Sequence, residues 1–191
     1  DGINISYNAY LTGQSPTDIP KKGSALDHMN LWDVVQGNSG RPAVYTQQIA
    51  DYQALGPDNF TRFNTDWKDL VLTNNGMMHN HNLNVSGGTD RIKVFASGSF
   101  LGQNGLTANT NYKRSDLRFN TDLKITQKLT GSLDLVLNES NRLWPGQNTP
   151  NGIILAMLGL PANIPGRYNT GEWGEGWSNA NPAAQAQDGG F

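Results

Sequence analysis

The sequence predicts an all-β protein in which about five antiparallel strands run up and down, joined by long loops that carry short helices. Three observations lead to this fold class. Hydrophobic residues make up only 36% of the chain, and 22 of its 191 residues are glycine. This composition favours turns and strands over helices. Five segments alternate apolar with polar residues. The connections between these segments are of two very different lengths.

Each alternating segment places its apolar side chains on one face, because successive side chains of a strand point in opposite directions. In the fourth segment, which is the clearest, the charged residues all fall on the face opposite the leucines. The five segments run from Ile3 to Leu11, His81 to Val85, Ile92 to Phe100, Leu117 to Ile125 and Leu129 to Leu137.

The connections indicate what kind of sheet these strands form. Residues 87–90 and 126–128 are short turns, and Gly87 and Gly88 are expected to take positive φ. Residues 12–78, 102–111 and the chain beyond 140 are long. In an up-and-down sheet, all short turns then lie at one end and all long loops at the other, as in outer-membrane barrels. The later segments also approach the ~9–11 residues of a tilted membrane strand. A partial outer-membrane β-barrel is therefore predicted.

The long connections are predicted to contain short helices. Ser24, Thr46, Thr65 and Asn151 each precede a run of apolar residues at helical spacing and are expected to be N-caps. The chain from 161 to 191 is rich in Gly, Pro and Asn and is expected to be irregular.

Composition also excludes several classes of function. The net charge is −2 and the basic residues are not clustered, so no nucleic-acid partner is expected. The chain contains no cysteine, which excludes disulfides and cysteine-based metal sites. It has no stretch of ~20 apolar residues, so no transmembrane helix is predicted, whereas barrel strands need no such stretch.

Short motifs follow one another in a fixed order through the middle of the chain. They are NTDW at 64–67, HNLNVSGG at 81–88, VFAS at 94–97, LGQNG at 101–105, NYKR at 111–114 and LRFN at 117–120. This ordered series resembles the SusC/RagA family of TonB-linked outer-membrane proteins. The resemblance extends from Asn64 to Asn138, and Asn181-Pro182 resembles a downstream loop element of the family.

The resemblance implies a fragment of a plugged barrel of about 22 strands in the cell outer membrane. Family members import oligosaccharides, and some import peptides, with a SusD-like surface lipoprotein as lid and energy from TonB. On this interpretation, residues 1–140 hold the first barrel strands with an external loop at 12–78, and residues 140–191 form a further external loop region. We expect the plug domain, through which TonB acts, and the rest of the barrel to be absent from this sequence.

Two groups of residues suggest chemistry but do not complete a site. His79 and His81 share a strand face and have no evident third ligand, so no metal is expected. Glu172 and Glu175 lie beside Trp173, a combination that suggests a glycosidase acid pair. A glycine-rich loop offers no rigid frame for such a pair, so no catalytic residues, cofactor or enzymatic activity are expected.

Three tryptophans in the loops are candidate substrate-binding residues. Indole rings stack on the C–H faces of sugars, which points to Trp173, Trp177 and Trp144 as contacts for a glycan or for the lid lipoprotein. The alternative is that they pack the loops or lie at the membrane interface, and Trp144 and Tyr112 also suit the external aromatic girdle of a barrel. Two other functions remain open: a soluble, secreted carbohydrate-binding β-sandwich, and a glycoside hydrolase using Glu172 or Glu175.

Overall fold

The chain folds into two compact units in a computed structural model that describes residues 2–58, 60–73, 76–145, 149–176 and 180–187. One unit, which holds the sheet, comprises Asp1–Ser15, Asn74–Leu106 and Thr110–Leu143. The other, which holds the helices, comprises Pro16–Thr73, Thr107–Asn109 and Trp144–Phe191.

The sheet unit is a single antiparallel sheet whose strands pair in chain order, so the predicted up-and-down fold class is confirmed. The described strands form this one sheet, which is not closed, and they contain no second sheet of the kind a sandwich requires. Each strand is 11 to 14 residues long. The strands are β1 (Asn4–Gln14), β2 (Gly76–Gly88), β3 (Ile92–Asn104), β4 (Asn111–Lys124) and β5 (Thr130–Leu143).

The strand register confirms that short turns and long connections leave opposite ends of the sheet. At one end Gln14 pairs with Gly76, and Asn111 pairs with both Asn104 and Leu143. The long connections start or finish there. At the other end, residues 89–91 join β2 to β3 and residues 125–129 join β4 to β5.

The β2–β3 turn needs glycine for a reason other than the predicted one. Gly87 and Gly88 both lie in β2, and neither has a positive φ. A Cβ atom at Gly88 would instead lie 2.2 Å from the carbonyl oxygen of Ile92, so a side chain is excluded by close approach of the backbone.

One face of the sheet is apolar across every strand. A cross-strand row on this face joins Ile5, Val85, Ala96, Phe119 and Leu135. The two adjacent rows of the same parity, which contain Leu83 with Leu117 and Val94 with Leu133, continue the apolar surface. Towards the end with the long connections, the same face carries His81, Ser115 and Glu139. Many of its large side chains, Leu117 and Leu137 among them, are exposed in this chain.

The opposite face is polar and internally hydrogen-bonded. The Asp116 carboxylate accepts hydrogen bonds from the Ser99 hydroxyl at 3.0 Å and from the Asn138 amide, and it pairs with the Arg114 guanidinium at 2.9 Å. These contacts link β3, β4 and β5. Tyr112 has the same parity as Asp116 and lies on this polar face, with Arg142 over its ring at 5.4 Å. The prediction that Tyr112 belongs to an external girdle is therefore wrong.

The helical unit contains α1 (Ala25–Asn38), α2 (Thr46–Leu55), α3 (Trp67–Val71), α4 (Pro150–Gly159) and α5 (Pro182–Gln187). Among the described residues, no helix combines the length and the apolar character needed to cross a bilayer. The predicted irregular tail is wrong in part, because α5 lies within it.

Of the four predicted N-caps, only Ser24 is confirmed. Its hydroxyl accepts from the Asp27 amide, and the Asp27 carboxylate accepts from the Ser24 amide, which forms a capping box. Thr46 is the first helical residue of α2, after Tyr45, which forms no side-chain cap.

The other two predicted caps are displaced by neighbouring residues. Asp66 caps α3, and its carboxylate accepts from the Lys68 and Asp69 amides. Thr149 caps α4, with Pro150 at the first helical position, where a missing N–H costs nothing.

Candidate functional site

The helical unit is organised around Trp67, the first residue of α3. Trp67 is buried with Val71, Ile153 and Met157, and α5 adds Ala183 and Ala186 to the same cluster. The Trp67 indole N–H donates a hydrogen bond to the carbonyl oxygen of Pro161 at 3.0 Å. This unit therefore has its own apolar core, which can hold side chains in fixed positions.

Hydrogen bonds from two polar side chains order the segment that follows α4. The Thr65 hydroxyl donates to the carbonyl oxygen of Ile164 at 2.7 Å and accepts from the Gly166 amide. The buried Asn181 amide donates to the carbonyl oxygens of Gly166 and Gly174, at 2.7 and 2.8 Å. Its oxygen accepts from the first amides of α5. Residues 161–176 are thus pinned although they lack regular secondary structure.

The three predicted substrate-binding tryptophans do not form one described cluster. Trp173 is half-buried against the Trp67 cluster, and the Arg167 guanidinium lies 4.7 Å from its ring centre. Trp144 directly follows β5 and is 49% exposed. Trp177 lies outside the residues that the structure describes.

Of the two pairs of titratable residues considered in the sequence, the glutamates lie in the segment after α4 and the histidines lie in β2. Glu172 and Glu175 are both exposed, and the Glu172 carboxylate accepts from the Thr170 hydroxyl at 3.3 Å. His79 and His81 lie edge to face at 5.5 Å, and His81 shares a 2.6 Å hydrogen bond with the Tyr7 hydroxyl. Within the described ranges, no group of three or more acidic or histidine side chains is arranged to hold a metal ion.

A groove in the helical unit was not predicted from the sequence. It has a volume of about 500 Å³ and brings α1 and the residue before α2 opposite the end of α4. We call it the aromatic groove, because three rings make up one of its walls. Its lining consists of His28, Trp32, Tyr45, Ala156, Gly159, Leu160, Pro161 and Ala180.

The rings of the aromatic groove are held in contact with one another. The centres of the His28 and Trp32 rings are 6.1 Å apart, with planes inclined by 28°. Tyr45 meets His28 edge to face at 6.4 Å. The Tyr45 backbone is fixed by Asp33, whose carboxylate accepts from the Val44 and Tyr45 amides at 2.7 and 3.0 Å.

The opposite wall of the groove is held by Lys22. Its ammonium group donates to the carbonyl oxygens of Met157, at 2.8 Å, and Leu160, and so satisfies the C-terminal end of α4. Partial burial lowers the pKa of Lys22 from its usual value, and the charge of Asp66 opposes that shift. The groove wall thus depends on a lysine more than 130 residues away in the chain.

The surroundings of His28 in this groove disfavour the charged form of its imidazole. Burial of the imidazole lowers its pKa, and the positive charge of Lys22 lowers it further. A neutral imidazole has one N–H donor and one nitrogen acceptor.

The sequence did contain a partial signal for the groove. His28 and Trp32 are four residues apart and therefore share one face of α1. The wall that faces them comes from residues 156–161, which only the tertiary structure brings there.

The long strands, the apolar face and the one-sided arrangement of connections are consistent with part of the wall of a membrane β-barrel. No family model matches the chain. The chain is 29% identical over 154 residues to the TonB-dependent receptor P3 of Formosa agariphila, an alignment that covers 80% of this chain and 14% of that receptor. This similarity supports the TonB-dependent receptor family, and the chain spans only a small part of that relative's length.

Proposed function

We propose that the chain is part of a TonB-dependent outer-membrane transporter that imports oligosaccharides or other polymer fragments. Its function is transport and not catalysis. The observation that carries the proposal is the sheet, whose apolar face runs unbroken across β1 to β5 while every long connection leaves the same end. The similarity to a TonB-dependent receptor supports the same class.

In this proposal the two faces of the sheet meet different surroundings. The apolar face contacts outer-membrane lipid, and the face around Asp116 and Arg114 lines the barrel lumen. Residues 1–140 supply the first barrel strands, with an external loop at 12–78, and residues 140–191 supply a further external loop region. The internal hydrogen bonds of the polar face suit a lumen filled by a plug domain.

The external loops are proposed to hold the cargo with a SusD-like surface lipoprotein as lid. The resemblance to SusC/RagA proteins is the support for this partner and for glycan cargo. Trp173, Trp177 and Trp144 remain our proposed substrate contacts in these loops. Energy for import would come from TonB, which acts on the plug segment of the whole receptor.

Uptake of labelled oligosaccharide by intact cells tests this function. We expect cells that carry the whole receptor to accumulate fluorescent oligosaccharide, and cells that lack either the receptor or TonB to lose that accumulation. Co-purification of the receptor with a lipoprotein encoded beside it tests the lid. Recovery of the receptor in the soluble fraction, or uptake that persists without TonB, would contradict the proposal.

The tryptophan contacts need their own variant. Trp144→Ala is the most direct, because Trp144 is half exposed, whereas Trp173 also packs against the core. We expect Trp144→Ala to weaken uptake while leaving the amount of receptor in the outer membrane unchanged. Unchanged uptake would remove Trp144 from the proposed site.

A further inference from the structure

We propose that the aromatic groove binds one pyranose ring of an uncharged oligosaccharide, with the Trp32 indole as the stacking platform. This inference rests on the proposed function and deepens it by assigning residues and a ligand class to a site in the first long loop. The groove lies entirely within the helical unit.

Exposure and position make Trp32 suited to stacking. Its side chain remains 40% exposed although it lines a concave surface, so one part of the indole is available to a ligand. Indole faces bury large apolar area and attract the partially positive C–H groups of a sugar ring. The His28 ring stacks against the indole, with 6.1 Å between ring centres and planes inclined by 28°, and so holds the indole in place.

The polar atoms of the same three rings are available to sugar hydroxyls. Within the part of the chain that the structure describes, no hydrogen bond reaches the Trp32 indole N–H, the Tyr45 hydroxyl or the His28 ring nitrogens. These groups offer donors and acceptors beside an apolar platform. A site that combines one stacking surface with a few convergent polar groups matches a polyhydroxylated ring better than a purely apolar side chain.

Charge and size restrict the ligand further. The groove lining contains no Asp, Glu, Lys or Arg side chain, and the nearby Lys22 ammonium already donates to the carbonyl oxygens of Met157 and Leu160. The lining therefore supplies no charged partner for a uronate or a sulfate ester. Its volume of about 500 Å³ falls within the roughly 300–1,000 Å³ of small-molecule sites. An uncharged saccharide is therefore the occupant that the lining favours.

Binding to the purified, full-length receptor tests the groove. The probes are maltohexaose, cellohexaose, laminarihexaose and mannohexaose, with an uncharged hexapeptide containing Leu and Phe as the alternative ligand, each measured by calorimetry. For the hexasaccharide that binds, we expect Trp32→Ala to raise Kd about tenfold, equivalent to ~1.4 kcal/mol. Tyr45→Phe removes only a hydroxyl and should raise Kd severalfold.

The matched control is Leu31→Ala. Leu31 neighbours Trp32 on α1, is 65% exposed and does not line the groove, so this variant should bind with unchanged Kd. If Trp32→Ala folds poorly, Trp32→Phe and Tyr45→Phe provide the test, because both retain a ring at the position.

Three results would overturn the inference: wild-type affinity in the ring variants, no binding of any of the four hexasaccharides, or Trp32-dependent binding of the hexapeptide instead. If the Trp32→Ala receptor keeps both its Kd and normal TonB-dependent uptake, only the assignment of the groove as the binding site is wrong. If cells with the unaltered receptor show no TonB-dependent uptake of any oligosaccharide, the proposed transport function itself is wrong.

Discussion

The indole N–H of Trp67 donates a hydrogen bond to the carbonyl oxygen of Pro161 at 3.0 Å, and so joins the start of α3 to the residues that follow α4. Trp67 is also the largest fully buried side chain of the described residues. One side chain therefore contributes both apolar burial and a polar contact to the region that carries the aromatic groove.

Replacing Trp67 should loosen the helical unit. Trp67→Ala removes a buried ring, and such truncations cost ~3–5 kcal/mol. Trp67→Phe keeps most of the apolar volume but leaves the Pro161 carbonyl without its donor, at about 1–3 kcal/mol. Hydrogen exchange of α3 and α4 in the whole receptor measures the local opening. Leu155→Ala, an exposed change on α4, is the control, and an equal effect of both alanine variants would contradict this role.

Neighbouring residues on β5 test which face of the sheet meets lipid. Val136 and Leu137 are 68% and 66% exposed and lie on the polar and apolar faces respectively. Leu137→Arg should cost up to ~2–4 kcal/mol, because a charge on the lipid face is expensive at mid-depth. Val136→Arg should be tolerated, since it faces the proposed lumen. Heat-modifiable migration of the receptor on gels measures folded barrel, and equal damage from the two variants would contradict the orientation.

The cap of α4 provides a comparison between prediction and structure. Thr149→Ala removes the side chain that accepts from the Gly152 amide and should destabilise α4 by ~0.5–2 kcal/mol. Asn151→Ala changes an exposed residue inside the helix and should have little effect. Hydrogen exchange at the first turn of α4 distinguishes the two. The reverse order of effects would restore Asn151 as the cap.

The loop after α2 should lose order in acid. The Asp58 carboxylate accepts hydrogen bonds from the backbone amides of Arg62, Phe60 and Thr61, at 2.8 to 2.9 Å, which hold the pKa of Asp58 well below its usual value of 3.8. Because the folded pKa is depressed, this stabilisation is present above 3.8 and is lost as the pH falls further.

Amide exchange at residues 60–62, corrected for the intrinsic effect of pH, measures that loss of order. Protection should be constant from pH 7 to 4 and should decline below that range. Asp58→Asn retains an acceptor oxygen but does not titrate in this range, so its protection should not show this decline. Identical acid profiles for the two proteins would rule out Asp58 as the titrating group.

The sequence by itself determined the sheet. The alternation of apolar and polar residues assigns a face to each side chain, and this period is a local property of a strand. The short turns at 89–91 and 125–129 then favour pairing of β2 with β3 and of β4 with β5, so these two pairings also followed from local information. The pairings of β1 with β2 and of β3 with β4 span the long connections and were decided by the tertiary structure.

Tertiary structure decided the helix starts and the groove. Thr65 was a plausible cap in sequence, but its hydroxyl bonds the carbonyl oxygen of Ile164, and Asp66 caps α3 instead. Likewise, the aromatic groove exists only because α1 and residues 156–161 meet in space. Local patterns identify what a residue is able to do, whereas competition between distant partners decides which hydrogen bond or contact it makes, because that choice depends on which segments pack together.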